Sequence, residues 1–365
     1  MPNLNELLVK LAEKNGSDLH IAPGRPPLAR VDGDIEPLTQ EVLTAADIEA
    51  MVGRLLAPRH RDELEKKRET DFAFSIAEGE RFRANIFRDM KGMNGAFRLI
   101  PSRIMTIDEL GLPSSIKTLC ELPKGLILVT GATGMGKSTT LAAFIDHINR
   151  HRSEHVITIE DPIEFIHIED KCLIHQREVY THTHSFSSAL RSALREDPDV
   201  IMAGELRDLE SMEFAIEAAE TGHLVFGTLH TNTAPSTVDR VIDAFPPNRQ
   251  NQIRAMLANS LRAVISQTLC KCRGGGRTAA WEILIVTRSV SSMIREAKIH
   301  QIPSSMQVGG ASGMILLNQS LADLVRRGII TPEEAYLNAV DTEDILATYR
   351  RANIPWIPHE PIPDM

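Results

Sequence analysis

Leu126-Ile-Leu-Val-Thr130 runs straight into Gly131-Ala-Thr-Gly-Met-Gly-Lys-Ser138, and Thr139 to Ile148 continues with apolar residues at helical spacing. A short apolar run bounded by glycines reads as a buried strand, and the stretch after Ser138 reads as an amphipathic helix. The residues between them match G-x-x-x-x-G-K-[ST] in the strand–loop–helix setting that the pattern requires. Glycines let backbone N–H groups close around phosphate, and the helix N-terminus adds positive potential. Lys137 is the cation suited to the β- and γ-phosphates, and Ser138 is the hydroxyl suited to Mg2+. Gly131, Ala132, Thr133, Gly134, Met135, Gly136, Lys137, Ser138 and Thr139 are therefore the expected nucleotide-binding stretch.

Downstream, short apolar runs alternate with longer amphipathic stretches: Val156 to Ile159, Val200 to Ala203 and Leu224 to Leu229. That alternation predicts an α/β domain, a mostly parallel sheet with helices on both faces. Each run ends in polar residues: Glu160-Asp161, Gly204-Glu205 and His230. Parallel strands lying side by side present such ends to one crevice. A carboxylate there can position Mg2+ or polarise an attacking water, and a histidine can register the γ-phosphate. Ala279 to Val286 reads as a last strand, with several short helices after it.

The first hundred residues have a different texture. Leu4, Leu7, Leu8 and Leu11 predict a helix, Ser17 to Ile21 a strand, and Arg30 to Ile35 a hairpin about Asp32-Gly33. Asp47 to Leu56 and Pro58 to Lys67 read as helices, while Phe72 to Ile76 and Arg81 to Ile86 alternate like strands on either side of Glu78-Gly79. Residues 1–100 are thus expected to form a small α+β domain. Pro101 and Pro113 place a linker at 101–114 and a second domain at 115–353; the proline-rich tail, 354–365, is expected to be loosely held. Arg81 and Arg83 share the strand face opposite Phe82 and Ala84, with Arg88, Arg98 and Arg103 close behind.

A chain of 365 residues has room for about two domains. Its hydrophobic fraction of 42% and charged fraction of 24% set aside disordered and fibrous classes. A net charge of −9 argues against nucleic acid as a partner. The opening Met1-Pro-Asn-Leu-Asn-Glu lacks a basic, then apolar, leader, and nowhere do eighteen apolar residues run together. The expectation is a cytoplasmic protein without direct membrane insertion. Cys120, Cys172, Cys270 and Cys272 are too few and too irregular for a disulfide framework, and Cys270-Lys-Cys272 lacks the second pair of a zinc site. His167, His175, His182 and His184 fall among polar neighbours across an apparent loop and read as solvated surface.

Taken together with Gly16-Ser-Asp-Leu-His20, Thr158-Ile-Glu-Asp-Pro-Ile-Glu164, Asp197-Pro-Asp-Val-Ile-Met-Ala-Gly-Glu-Leu-Arg-Asp208 and Thr221-Gly-His-Leu-Val-Phe-Gly-Thr-Leu-His-Thr231, the chain resembles the secretion ATPases of type II and type IV systems. Within them it is most similar to the twitching-motility, pilus-retraction type. The resemblance implies a PAS-like N-terminal domain, a RecA-like P-loop ATPase domain and a homohexamer. It also implies hydrolysis of ATP with Mg2+, driving type IV pilus retraction through interdomain motion. The implied place is the inner face of the cytoplasmic membrane, beside an inner-membrane pilus platform protein (PilC-like).

By position, the resemblance makes Glu205 the general base and Glu160 and Asp161 the acidic pair near the metal, with Ser138. It puts His223 and His230 in the histidine box and Arg240 near the nucleotide, and it makes Arg83 and Arg98 the first choices for contacts to a neighbouring subunit's nucleotide. Ser289-Val-Ser-Ser-Met-Ile-Arg-Glu296 keeps only the end and the apolar pattern of the retraction motif Ala-Ile-Arg-Asn-Leu-Ile-Arg-Glu. The four-cysteine element of extension ATPases is missing. An accessory PilU-like retraction motor or another type II/IV secretion ATPase is the alternative. A hydrolysis-deficient scaffold is disfavoured by Lys137, Ser138 and Glu205, and a nucleic-acid translocase by charge.

Overall fold

The computed structural model describes residues 3–31, 33–77, 79–100 and 103–356. Asp32, Glu78, Pro101, Ser102 and residues 357–365, on which a turn, a strand break, the start of the linker and most of the tail were expected, lie outside the described residues. The chain separates into two units: Met1–Ile104 with Pro162–Ile166, and Met105–Asp161 with His167–Met365.

The first unit opens with α1 (Leu4–Glu13), started by Asn3, whose side chain accepts from the Asn5 N–H. Strands β1 (Asp18–Ile21), β2 (Leu28–Val31) and β3 (Asp34–Pro37) follow, then α2 (Ala45–Gly53) and α3 (Pro58–Lys67). The Thr44–Asp47 capping box begins α2, which stops at Gly53 rather than continuing to Leu56 as expected. Strands β4 (Glu69–Ser75), β5 (Arg81–Asp89) and β6 (Gly92–Ile100) complete an antiparallel sheet of order β3-β2-β1-β6-β5-β4. Alternation along β5 buries Phe82, Ala84 and Ile86 and turns Arg81 and Arg83 to the other face. Strand β6, absent from the sequence reading, pairs with both β1 and β5.

The second unit starts with α4 (Ser115–Cys120), β7 (Gly125–Thr130), α5 (Lys137–His151), β8 (His155–Glu160) and β9 (Leu173–Glu178). Next come α6 (Phe186–Ala193), β10 (Val200–Ala203), α7 (Leu209–Thr221), β11 (Leu224–Leu229), α8 (Ala234–Asp243) and α9 (Pro247–Ser260). A hairpin of β12 (Leu261–Lys271) and β13 (Arg277–Ile285) precedes α10 (Arg288–Arg295), α11 (Ile302–Val308), α12 (Leu317–Arg326), α13 (Pro332–Leu337) and α14 (Thr342–Arg351). The sheet runs β13-β12-β7-β11-β10-β8-β9, parallel throughout except for the β12–β13 edge pair. Each face has its own core. Leu126 and Leu128 of β7 pack into one and Ile127 and Val129 into the other, which is why the strand reads as a continuous apolar run. Among the described residues no helix is long and apolar enough to cross a membrane.

Two expectations need correction. The tail does not start loosely: Ile354 and Trp356 pack on the cluster of Leu321, Ile345 and Tyr349, with the Trp356 ring 5.2 Å from that of Tyr336. Of the four histidines, His175, His182 and His184 are exposed as expected, His175 on β9 with its Nδ1 2.8 Å from His155 Nε2, whereas His167 is only 8% exposed.

Burial pushes the His167 imidazole down to about 4, against a smaller opposing pull from Asp146. The unfolded chain then binds more protons than the folded one between roughly pH 6.5 and 4, so stability falls as pH falls through that window. Between pH 7 and 5 the loss from this group is on the order of 2 kcal/mol. In His167→Gln the melting temperature should therefore drop less over that interval than in the parent. Equal slopes in the two proteins would exclude the assignment.

Candidate functional site

The parallel register fixes which residues meet. Thr130 of β7 is level with Leu229 of β11, and Gly227 of β11 is level with Ala203 of β10, which in turn is level with Ile159 of β8. Neighbouring strands lie about 4.8 Å apart. The loop after β7, His230 after β11, Glu205 after β10 and Glu160-Asp161 after β8 consequently line one edge of the sheet. Backbone bonds lace these ends together: the Gly204 N–H donates to Ile159 O at 2.7 Å and the Leu206 N–H to Thr228 O at 3.0 Å.

The loop from Gly131 to Gly136 has three glycines at positive φ, 145°, 81° and 86° for Gly131, Gly134 and Gly136. At Gly131 a Cβ would stand 2.5 Å from the Gln267 carbonyl oxygen, so only glycine lets the chain turn here. Gly136 is the N-cap of α5 and supplies no side chain to cap it, which leaves the first-turn N–H groups facing the loop. Lys137 Nζ donates to Gly131 O at 2.7 Å and to Ala132 O at 3.1 Å. Ser138 and Thr139 follow on the same turn.

A hydrogen-bonded line crosses three strand ends. Lys137 Nζ lies 3.4 Å from His230 Nδ1, and His230 Nε2 lies 2.9 Å from Glu205 Oε1. An ammonium can only donate and a carboxylate can only accept, so these neighbours select the neutral imidazole with its proton on Nε2. The other Glu205 oxygen takes the Arg207 guanidinium at 2.8 Å. Burial works against ionisation of Glu205, but the bond and charge of Arg207, with His230 behind them, hold its carboxyl below the usual carboxylate range. Glu160 is buried at the end of β8, accepting from Thr158 Oγ1 at 2.7 Å and from Gln176 Nε2 at 3.2 Å. Asp161, next to it, is exposed.

Among the described residues no three His, Cys, Asp or Glu side chains gather as a metal nest. A divalent ion at this edge would take its remaining ligands from phosphate and water, as Mg2+ does, with Ser138 and the Glu160–Asp161 pair contributing from the protein. The glycine loop, the uncapped helix start and the lysine fit a nucleotide phosphate chain.

Other expected residues stand elsewhere. His223 precedes β11, and its carbonyl receives the Gly125 N–H at the start of β7. The strand length puts it about 20 Å from the glycine loop. Its ring bonds to Ala218 O, which makes it part of the turn after α7 rather than of this chain's loop edge. Arg240 is exposed two turns along α8 and makes no hydrogen bond or ion pair with the loop. Arg83 and Arg98 face each other across β5 and β6 in the first unit. Arg98 Nε donates to Asp18 at 2.9 Å, and Arg83 lies 3.9 Å from Asp71 and 4.0 Å from Glu164. Two residues at the site carried no role in the sequence reading. Arg207 was visible as the cation two places after Glu205; Gln267 was visible as an amide inside an apolar run.

Residues 1–336 match the family model for type II/IV secretion system proteins. The chain belongs to that family. It is 49% identical over 333 residues to the type IV pilus retraction ATPase PilT of Pseudomonas aeruginosa, covering 91% of this chain and 97% of that one. It is 39% identical over 343 residues to the type IV pilus ATPase PilU of the same organism, covering 93% and 89%. Among solved structures, that of the pilus retraction motor PilT with bound ADP superposes with a TM-score of 0.89 at 44% identity, covering 95% of this chain and all of that one. The family's α/β fold with its mostly parallel sheet agrees with the sequence expectation, and the first unit is an antiparallel sheet with helices.

Proposed function

We propose that this protein is an ATP-hydrolysing motor that powers type IV pilus retraction. The observation that carries the reading is the line Lys137–His230–Glu205–Arg207, which ties the phosphate-binding loop to a carboxylate in one continuous set of polar contacts. A relative at 49% identity that bears the name of a retraction ATPase supports it, and the 39% identity to PilU favours the main motor over the accessory one. Deletion in the native host should raise the number of surface pili and abolish twitching; unchanged twitching would count against the assignment.

The residues act as follows. Lys137 exchanges the carbonyls of Gly131 and Ala132 for phosphate oxygens, a trade of neutral acceptors for charged ones that favours nucleotide binding. Mg2+, when bound, would neutralise negative charge that develops on the phosphates. Ser138, Glu160 and Asp161 would hold it, partly through water. With Lys137 drawn to phosphate, His230 loses its donor at Nδ1 and can turn while still holding Glu205 through Nε2. Glu205, kept ionised, accepts the proton of the attacking water. Arg83 and Arg98 reach a neighbouring subunit's nucleotide in a homohexamer, which docks on the platform protein at the cytoplasmic membrane and works by motion between its domains.

Lys137→Ala should abolish tight ATP binding, measured by displacement of a fluorescent nucleotide. Glu205→Gln should still bind ATP but lose hydrolysis by roughly two to three orders of magnitude. A parental rate in purified Glu205→Gln would falsify the base assignment.

Arg207→Gln removes interactions that favour the charged carboxyl, so the acid limb of the hydrolysis rate, which in the parent lies below the usual carboxylate range, should move to higher pH when followed from roughly pH 3 to 7. A limb that stays put means Arg207 does not control the base.

Subunit mixing addresses the arginines. Lys137→Ala and Arg83→Ala/Arg98→Ala subunits, each inactive alone, should regain activity in mixed rings, and verified mixed rings without recovery would remove the trans role.

A further inference from the structure

Strand β12 has a polar interruption in its interior. Between Ile265 and Leu269 it reads Ser266-Gln267-Thr268, and Ser266 and Gln267 are 2% and 3% exposed. A buried amide is costly unless its donors and acceptor are met, and Gln267 meets them on the glycine loop and α5. Its Nε2 donates to the carbonyl of Met135, and its Oε1 accepts from Thr140 Oγ1 at 2.8 Å. The amide can stand only this way round, because a backbone carbonyl accepts and never donates. The neighbouring contacts point the same way. Thr130 and Ser266 share a buried hydroxyl bond of 2.7 Å, the Gly131 turn lies against the Gln267 backbone carbonyl, and the Leu269 N–H donates to Met135 Sδ at 3.2 Å.

The loop is therefore moulded on β12, by a residue more than a hundred positions away from the motif. The Met135–Gly136 peptide is planar and trans, so its C=O and N–H point in opposite directions. With the carbonyl drawn onto β12, the Gly136 N–H is turned away from β12. We propose that Gln267 is a positioning residue for nucleotide: by pinning the Met135 carbonyl it aims the Gly136 N–H at the phosphate chain, and so sets affinity for the diphosphate portion that ATP and ADP share. The inference rests on the nucleotide-binding reading of the loop.

The test uses the full-length protein and ADP. Gln267→Met keeps the side-chain length and removes the amide; Thr140→Val removes only the bond on the amide's other side. Gln267→Met should weaken ADP and a non-hydrolysable ATP analogue equally, by roughly ten- to a hundredfold, the scale of one charge-assisted hydrogen bond. Thr140→Val should lower the melting temperature of the ligand-free protein while changing ADP affinity less than about threefold. Hydrogen–deuterium exchange adds a local readout: ADP should protect residues 131–139 in the parent and in Thr140→Val, and protect them much less in Gln267→Met. If Gln267→Met does not fold, Gln267→Asn, whose amide is a methylene too short to reach Met135, takes its place with the same expectation. Parental ADP affinity in the Gln267 variants, or equal losses in Thr140→Val, overturns the positioning role. A parent protein that binds no ADP overturns the nucleotide reading itself, a distinct outcome.

Discussion

Parallel pairing in register is the constraint on which everything at this site depends. Because β7, β11, β10 and β8 are hydrogen-bonded side by side and point the same way, the residue that follows each strand arrives at one edge. A slip of one residue would turn every side chain on a strand to the opposite face, and with two apolar faces to satisfy, the cores resist it. Chemistry is thus delegated to short polar endings, while the apolar strands do nothing but hold them level.

The electrostatics of that edge are those of shared partners. Glu205 is contacted by two groups, His230 on one oxygen and Arg207 on the other, and His230 in turn answers to Lys137. Each side chain is both held and available, since any one of these bonds can be surrendered to a stronger acceptor without leaving the next member stranded. A depressed carboxyl is a weak base, however, and Arg207 is what depresses it. The arrangement suits a centre in which the base gains strength only after its neighbours have changed partners.

How much of this was legible follows from what each element owes to local pattern. Strands β7, β8, β10 and β11 are apolar along their length and bounded by polar endings, so periodicity finds them, and with them the loop and the residues Glu160, Glu205 and His230. Strands β6, β9 and β12 are different. Gly92-Met-Asn-Gly-Ala has too little side chain to show alternation, and Leu173-Ile-His-Gln-Arg-Glu is a polar edge strand. Ser266-Gln267-Thr268 breaks an otherwise apolar run because it serves the loop rather than the core. His223 was assigned by its place in a motif, but a motif that begins before a strand and ends after it necessarily puts its two ends at opposite edges of the sheet. His167 shows the converse: Ile166 and Ile168 on either side of it are exposed while its own ring is covered, which no local pattern foretells.

One feature of the chain's path bears on how the molecule is made. The segment Pro162–Ile166 belongs with the first unit, where the Ile163 carbonyl receives Arg81 Nε at 3.0 Å and Glu164 lies 4.0 Å from Arg83. Translation delivers this segment only after helix α5 and strand β8 of the other unit have been synthesised. The N-terminal sheet therefore emerges from the ribosome with the outer partners of β5 still missing, and receives them when the second unit is already well under way. Vectorial synthesis cannot finish one unit before starting the next, so the last contacts of the first are made during the assembly of the second.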